Sequence, residues 1–282
     1  MTAKLFPCPE CGAVGREPHD PSCSIGRRRS KAAKKGAKTK QGVTVKPKRK
    51  KATKKVARRR KRRIRNEIIF VVDRSTSMQG HWTQMQRNLK EQFAEITQDA
   101  IDQDQDAYVS FWSFGSNVRC HYVSTPVERA RVPRLDCHGM TALKDGIAEG
   151  MNEFRHGPAS DEDVAYLLVV ITDGIENYSS MRTQHFINTI NKARRSDLWT
   201  YAITGPVDCS VYLTELGFLA GEIQEWDTVR DIGARDSIRS TTRGTQSYFG
   251  ARAAGATSVA SFYADTTGKD TAIQRMTDVS HS

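Results

Sequence analysis

Residues 164–171 read Val-Ala-Tyr-Leu-Leu-Val-Val-Ile, without one charged side chain, and Ile68-Ile69-Phe70-Val71-Val72 is a second unbroken apolar run. A strand with one wet face alternates polar and apolar residues, whereas a continuous apolar run belongs to a strand covered on both faces, as in the centre of a parallel sheet. Each run ends at an acid, Asp73 in the first case and Asp173, one residue past Thr172, in the second.

The segments between and beside these runs fit the same architecture. Trp82, Met85, Leu89, Phe93, Ile96 and Ala100 recur at spacings of three and four, the signature of an amphipathic helix. Leu143, Ile147, Met151 and Phe154 predict a second helix, and Phe186, Ile187, Ile190 and Ala193 a third. Residues 108–114 and 118–123 flank Gly115-Ser116-Asn117 and read as a hairpin, while Trp199 to Ile203 reads as a further parallel strand. Alternating strands and helices define the fold class: α/β, a Rossmann-like doubly wound, mostly parallel sheet with one antiparallel hairpin strand. The expected domain covers residues 66–227. Beyond it the pattern predicts a short helix from Val211 to Ala220, an edge strand from Glu222 to Trp226, and, over 228–282, a helical extension from Val229 to Ala254 followed by a polar tail.

Charge divides the chain sharply. Residues 1–66 hold 24 Lys+Arg and three Asp+Glu, while 67–282 hold 20 and 29. Within 27–65 there are 22 Lys+Arg, no acid and no aromatic residue, so this stretch cannot bury enough apolar surface to offset the entropy of ordering it and reads as a disordered arm. Its densest clusters are Lys48-Arg49-Lys50-Lys51, Lys54-Lys55 and Arg58-Arg59-Arg60-Lys61-Arg62-Arg63. Such a run binds the phosphate backbone of DNA or RNA by releasing counterions, and without aromatic residues it offers no base stacking. Two other uses of the arm stay open: a localisation signal, or docking onto the acidic domain.

Residues 1–26 form a separate unit around Cys8, Cys11, His19 and Cys23. Three thiolates and an imidazole make the tetrahedral donor set of a structural Zn²⁺ site, and the order Cys-Cys-His-Cys resembles a zinc knuckle with a longer spacing between second and third ligands. Cys120, Cys137 and Cys209 are dispersed, which excludes a secreted disulfide framework and fits a reducing compartment. The chain has no window of roughly 18 consecutive apolar residues, and its first residues lack the basic-then-apolar pattern of a secretory signal. The expectation is an intracellular, cytoplasmic protein, nuclear if its source is eukaryotic, with no membrane partner.

Three loops at strand or helix ends carry small oxygen ligands: Asp73-Arg74-Ser75-Thr76-Ser77, Gly139-Met140-Thr141 and Thr172-Asp173-Gly174. Open α/β sheets bind ligands at the carboxyl ends of their strands. Two carboxylates, two serine hydroxyls and a threonine hydroxyl form a hard-oxygen set suited to Mg²⁺ or Mn²⁺ and poor for zinc or copper. The alternative for Asp73-x-Ser75-x-Ser77 is a helix N-cap cluster, which would not explain the other two loops.

These residues resemble the metal-ion-dependent adhesion site of von Willebrand factor type A domains, over roughly residues 67–227. The resemblance implies that Ser75, Ser77 and Thr141 coordinate the ion directly, and Asp73 and Asp173 directly or through water. It further implies a non-enzymatic protein-binding role in which an acidic side chain of the partner completes the coordination. Bacterial relatives work beside AAA+ ATPases, which makes such an ATPase a second candidate partner; a structural role, for example in a virus particle, is another alternative. Enzymes with a strand-end aspartate nucleophile want a second carboxylate two residues on, where this chain has Ser75, and no Gly-Lys-Ser/Thr phosphate loop occurs. The whole reading is therefore of an adaptor that holds an acidic protein at its metal site and nucleic acid at its basic arm and zinc module.

Overall fold

A computed structural model describes residues 63–157, 163–207, 209–226 and 231–263, with 231–239 described by backbone alone. The expected zinc ligands Cys8, Cys11, His19 and Cys23, the arm residues from Lys48 to Arg62, and the tail from 264 lie outside the described residues.

The two apolar runs lie at the centre of a six-stranded sheet. β1 (Ile64–Asp73) is flanked by β2 (Asp106–Phe114) and β4 (Asp163–Ile171), and the order is β3-β2-β1-β4-β5-β6, with β3 (Val118–Pro126), β5 (Trp199–Pro206) and β6 (Ile223–Trp226) completing it. Every pairing is parallel except β2 with β3, so the hairpin read around Gly115 supplies the antiparallel edge strand. Side chains of β1 alternate between two cores, as strand geometry requires. Ile68, Phe70 and Val72 face α1 (Trp82–Asp102), while Ile69 and Val71 face α2 (Leu143–Asn152), α3 (Thr183–Arg194) and α4 (Cys209–Glu215). All five side chains are wholly buried, which at about 1.5–3 kcal/mol apiece explains why this run tolerates no polar residue.

The register sets the site. Asp73 pairs with Phe114, Val72 with Ile171, and Ile171 with Thr204, so the carboxyl ends of β1, β2, β4 and β5 finish level at one edge of the sheet. The end of β1 and the loop that leaves it carry Asp73, Ser75 and Ser77, the loop that leaves β4 carries Asp173, and the loop between β3 and α2 carries Thr141.

Two features differ from the sequence pattern or go beyond it. The fourth helix runs from Cys209 to Glu215 rather than from Val211 to Ala220, because Gly217 adopts φ +96° and closes the helix. The Gly217 amide donates to the Thr214 carbonyl and the Phe218 amide to the Leu213 carbonyl, the paired bonds of a Schellman ending, with Leu213 and Phe218 both buried. Residues 220–222 then form a single 3-10 turn. The C-terminal helix, α5 (Asp231–Ala253), lies beside α1 and carries Tyr248 and Phe249 into the same core as Phe70. Among the described residues, no helix is long and apolar enough to cross a membrane.

Candidate metal centre

Asp73 is the last residue of β1 and is fully buried; Ser75 and Thr141 are 2% and 4% exposed, whereas Ser77 lies open. The set is thus graded from a dry floor to a wet mouth. Ser75 is in extended backbone geometry (φ −61°, ψ 168°), and a 3-10 turn over Thr76–Gly80 follows it, pinned by the wholly buried Met78.

The oxygens converge. The Ser75 and Ser77 hydroxyls are 3.0 Å apart, and the Ser77 hydroxyl donates to Asp173 Oδ1 at 2.8 Å. Asp73 accepts from the Ser75 amide at 2.7 Å and from the Thr172 hydroxyl at 2.6 Å. Thr141 approaches from the third loop: a Cβ added at Gly174 would stand 3.3 Å from its Oγ1 and 4.0 Å from Asp73 Oδ2. Gly174 therefore leaves space between Thr141 and Asp73 that any side chain would fill. All five residues singled out in the sequence, contributed by three loops, border this region.

The loops are bound to one another through their backbones. His138 N donates to Arg74 O at 2.8 Å and Thr76 N to Gly139 O at 3.1 Å, with Gly139 at φ +88°. Thr141 and Asn177 exchange bonds, Thr141 N to Asn177 Oδ1 at 2.9 Å and Asn177 N to Thr141 O at 3.1 Å. Asp145 accepts from the amides of Ser180 and Met181, and Glu176 from the amide of Lys144. Thr172, Asn177, Asp145 and Glu176 hold the ligand loops in place. The sequence reading missed them as holders, because a short polar side chain near an element end reads first as a cap or turn residue.

Burial raises the Asp73 carboxyl to about 6, against the hydrogen bonds from Thr172 and Ser75 that lower it. Burial also raises Asp173, opposed by the Ser77 hydroxyl and the nearby His81. Among the described residues, no group of three or more His, Cys, Asp and Glu side chains is arranged to hold a metal. The set has the different composition of two carboxylates with three hydroxyls, and its donors and the open space at Gly174 suit a small hard dication rather than zinc. His81 packs edge-on against Trp226 with ring centres 5.3 Å apart, and His138 Nε2 lies 3.3 Å from Arg74 Nη1. Both are rim residues. Of the dispersed cysteines, Cys209 is buried, Cys137 half-buried and Cys120 exposed. Arg63, the first described residue, is exposed and pairs with Asp106 at 3.1 Å.

This architecture matches known proteins. The model of the von Willebrand factor type A domain matches residues 67–218, more than half of the chain, and the protein belongs to that family, whose fold is chiefly a protein-interaction module. No curated protein matches it. Among solved structures, the pilus adhesin SpaC from Lactobacillus rhamnosus GG in its open conformation superposes with a TM-score of 0.51 at 11% identity, covering 67% of this chain and 31% of that one. A von Willebrand factor type A protein from Catenulispora acidiphila gives 0.42 at 18% identity over 65% and 43%. The ArnB paralog VWA2 from Sulfolobus acidocaldarius gives 0.44 at 9% over 65% and 46%. The chain spans less than half the length of each of these three proteins.

Proposed function

We propose that this protein is a non-enzymatic adaptor that captures an acidic side chain of a partner protein at a Mg²⁺ or Mn²⁺ ion. Ser75, Ser77 and Thr141 would hold the ion directly, and Asp73 and Asp173 directly or through water. The carrying observation is the convergence of three loops on one cluster of hard oxygens at the carboxyl edge of the sheet, with Ser75, Ser77 and Asp173 in an unbroken hydrogen-bonded row. Three neutral hydroxyls leave a dication electrophilic, and that is the chemistry the ion supplies: an open position that prefers a carboxylate. The surroundings suit a protein ligand. Met140, Ile175 and Tyr178, each beside or shortly after a ligand residue, are 45%, 57% and 55% exposed, an apolar rim of the kind that marks interaction faces. Phosphotransfer is disfavoured by Ser75, which stands where a second carboxylate would be needed.

The test is Ser75→Ala combined with Ser77→Ala. Ser77 is open to solvent, while the Ser75 hydroxyl bonds the buried Asp73, so the variant should fold and melt somewhat below the parent without metal. The parent should gain stability with Mg²⁺ or Mn²⁺, by about 2.7 kcal/mol at one hundred times Kd, and the variant should gain none. An equal gain in both would make the three loops structural only.

We further propose that the arm from Lys48 to Arg63 binds the nucleic-acid backbone, beside a Zn²⁺ held by Cys8, Cys11, His19 and Cys23. The carrying observation is 22 Lys+Arg without an acid over residues 27–65. Affinity for a mixed-sequence oligonucleotide should fall steeply with salt, by about 10³ or more between 50 and 200 mM if six or more phosphates are contacted. Replacing the twelve clustered Lys and Arg by Gln in the full chain leaves ten of the 22 cations and should weaken binding and flatten its salt dependence. Binding and a salt slope unchanged by the replacement would assign the clusters to another role.

A further inference from the structure

A cavity of about 330 Å³ lies against the β2–β3 hairpin, lined by Ser113, Asn117, Val118 and residues of the 134–138 loop. Its lining includes Arg74, Arg119, Arg134, His121, His138 and a lone carboxylate, Asp136, and none of the five residues of the candidate metal centre. Arg74 is 7% exposed. Its Nη2 donates to the side chain and carbonyl of Asn117, its Nη1 lies 3.3 Å from His138 Nε2, and its Nε has no acceptor. Among the described residues, no carboxylate lies within ion-pair distance of Arg74, Arg119 or Arg134. A guanidinium so far out of water without a counter-charge is costly to keep, and neutral partners such as Asn117 return only part of the cost. The His121 imidazole is pushed below its ordinary range, first by burial and then by Arg119 and Arg74, which reports the same positive field.

We propose that this cavity binds a phosphomonoester dianion. Three guanidiniums against one carboxylate leave two positive charges before the imidazoles are counted. That balance matches a phosphomonoester above its second pKa of about 6 better than a carboxylate or a phosphodiester, each of which carries one charge. Arg74 is pre-positioned on the cavity floor by Asn117 and His138. Arg119 and Arg134 stand exposed at the mouth, free to close on the ligand. None of the five proposed metal ligands lines the cavity, although Arg74 belongs to the same loop as Asp73, Ser75 and Ser77.

The basic arm also attracts phosphate, so the measurement must be local. In the full chain with labelled histidines, at about pH 7.5, inorganic phosphate should move the His121 and His138 ring signals saturably, with a Kd on the order of 1 mM. His156 and His185 should stay still, and acetate at equal ionic strength should produce no saturable shift. Arg119→Gln with Arg134→Gln, both surface positions that leave the fold intact, should weaken phosphate by about tenfold or more through the loss of two charge-assisted contacts. Equal responses to phosphate and acetate, a common shift of all histidines, or an unchanged double variant would each overturn the proposal. A phosphoserine tripeptide and a nucleoside monophosphate separate the sources, the tighter one naming whether a modified protein or a nucleotide supplies the group.

Discussion

Asp99 stands on α1 one turn after Glu95 and just before Asp102, so three carboxylates share one face of the helix, an arrangement unfavourable for like charges at such spacings. Burial, then Glu95 and Asp102, raise its carboxyl from 3.8 to about 6. A carboxyl raised on folding contributes stability that is fully present below its unfolded pKa and lost as the pH rises through the folded one. Asp99→Asn should therefore leave the melting temperature unchanged near pH 3.5, gain on the parent between about pH 4 and 6, and keep that gain at neutrality. Melts across this range check it; a gain that shrinks toward neutrality would refute the assignment. At this scale the sequence was unevenly legible. Asp73, Ser75, Ser77, Thr141 and Asp173 stand at strand and helix ends, where residue type alone limits the chemistry. Arg74, Asn117 and His138 carry no such mark, because their contacts span 43 and 64 residues and exist only once the loops are zipped together.

Between elements, the end of α3 and the turn before β6 are joined by an ion pair whose carboxylate is buried and whose guanidinium is partly exposed. Arg194 Nη2 donates to both carboxylate oxygens of Glu222 at 2.9 and 2.6 Å, its Nη1 to the Gly217 carbonyl, and its guanidinium lies over the Tyr201 ring. Glu222 is 2% exposed and also accepts from the Leu219 amide. Burial outweighs these partners and raises its pKa, so the carboxylate depends on Arg194. Arg194→Met should cost about 3–5 kcal/mol in urea unfolding, since it strands a buried charge. Adding Glu222→Gln, which removes the charge and keeps an acceptor for Leu219, should restore part of that loss. A double variant no better than the single would mean that packing against Tyr201, rather than charge, dominates. In sequence, an arginine in the last turn of a helix reads as a complement to the helix dipole. Its partner 28 residues on is not legible from spacing: the sequence pattern runs the helix on to Ala220, whereas the left-handed backbone at Gly217 ends it at Glu215, ahead of the turn that carries Glu222.

For the molecule as a whole, the question is whether the C-terminal helix is an appendage or part of the fold. The family match ends at residue 218, and the extension reads in sequence as a helix dotted with arginines. One of those arginines, Arg252, is 1% exposed and ties the chain together at the edge of the sheet opposite the candidate metal centre. It donates to Asn66 Oδ1 at 3.0 Å, to Asp163 Oδ1 at 2.7 Å and to the Ala256 carbonyl at 2.7 Å, thereby joining α5 to the amino ends of β1 and β4. Asn66 in turn donates to Gln105, and Gln105 to the Phe249 carbonyl. Tyr263, also buried, donates its amide to Gly221 O and places its hydroxyl 3.2 Å from that of Thr204. Arg252→Leu should cost about 1–3 kcal/mol, since it leaves the buried Asn66 Oδ1 without its donor, with the half-exposed Asp163 adding little. Ending the chain at Trp226 strips Tyr248, Phe249, Phe262 and Tyr263 from the core, and at about 1.5–3 kcal/mol each their loss rivals the 5–15 kcal/mol that stabilises a typical domain. The shortened chain should lose its cooperative urea transition. A shortened chain that unfolds cooperatively at the parent midpoint would show instead that α5 rides on a domain already complete at β6.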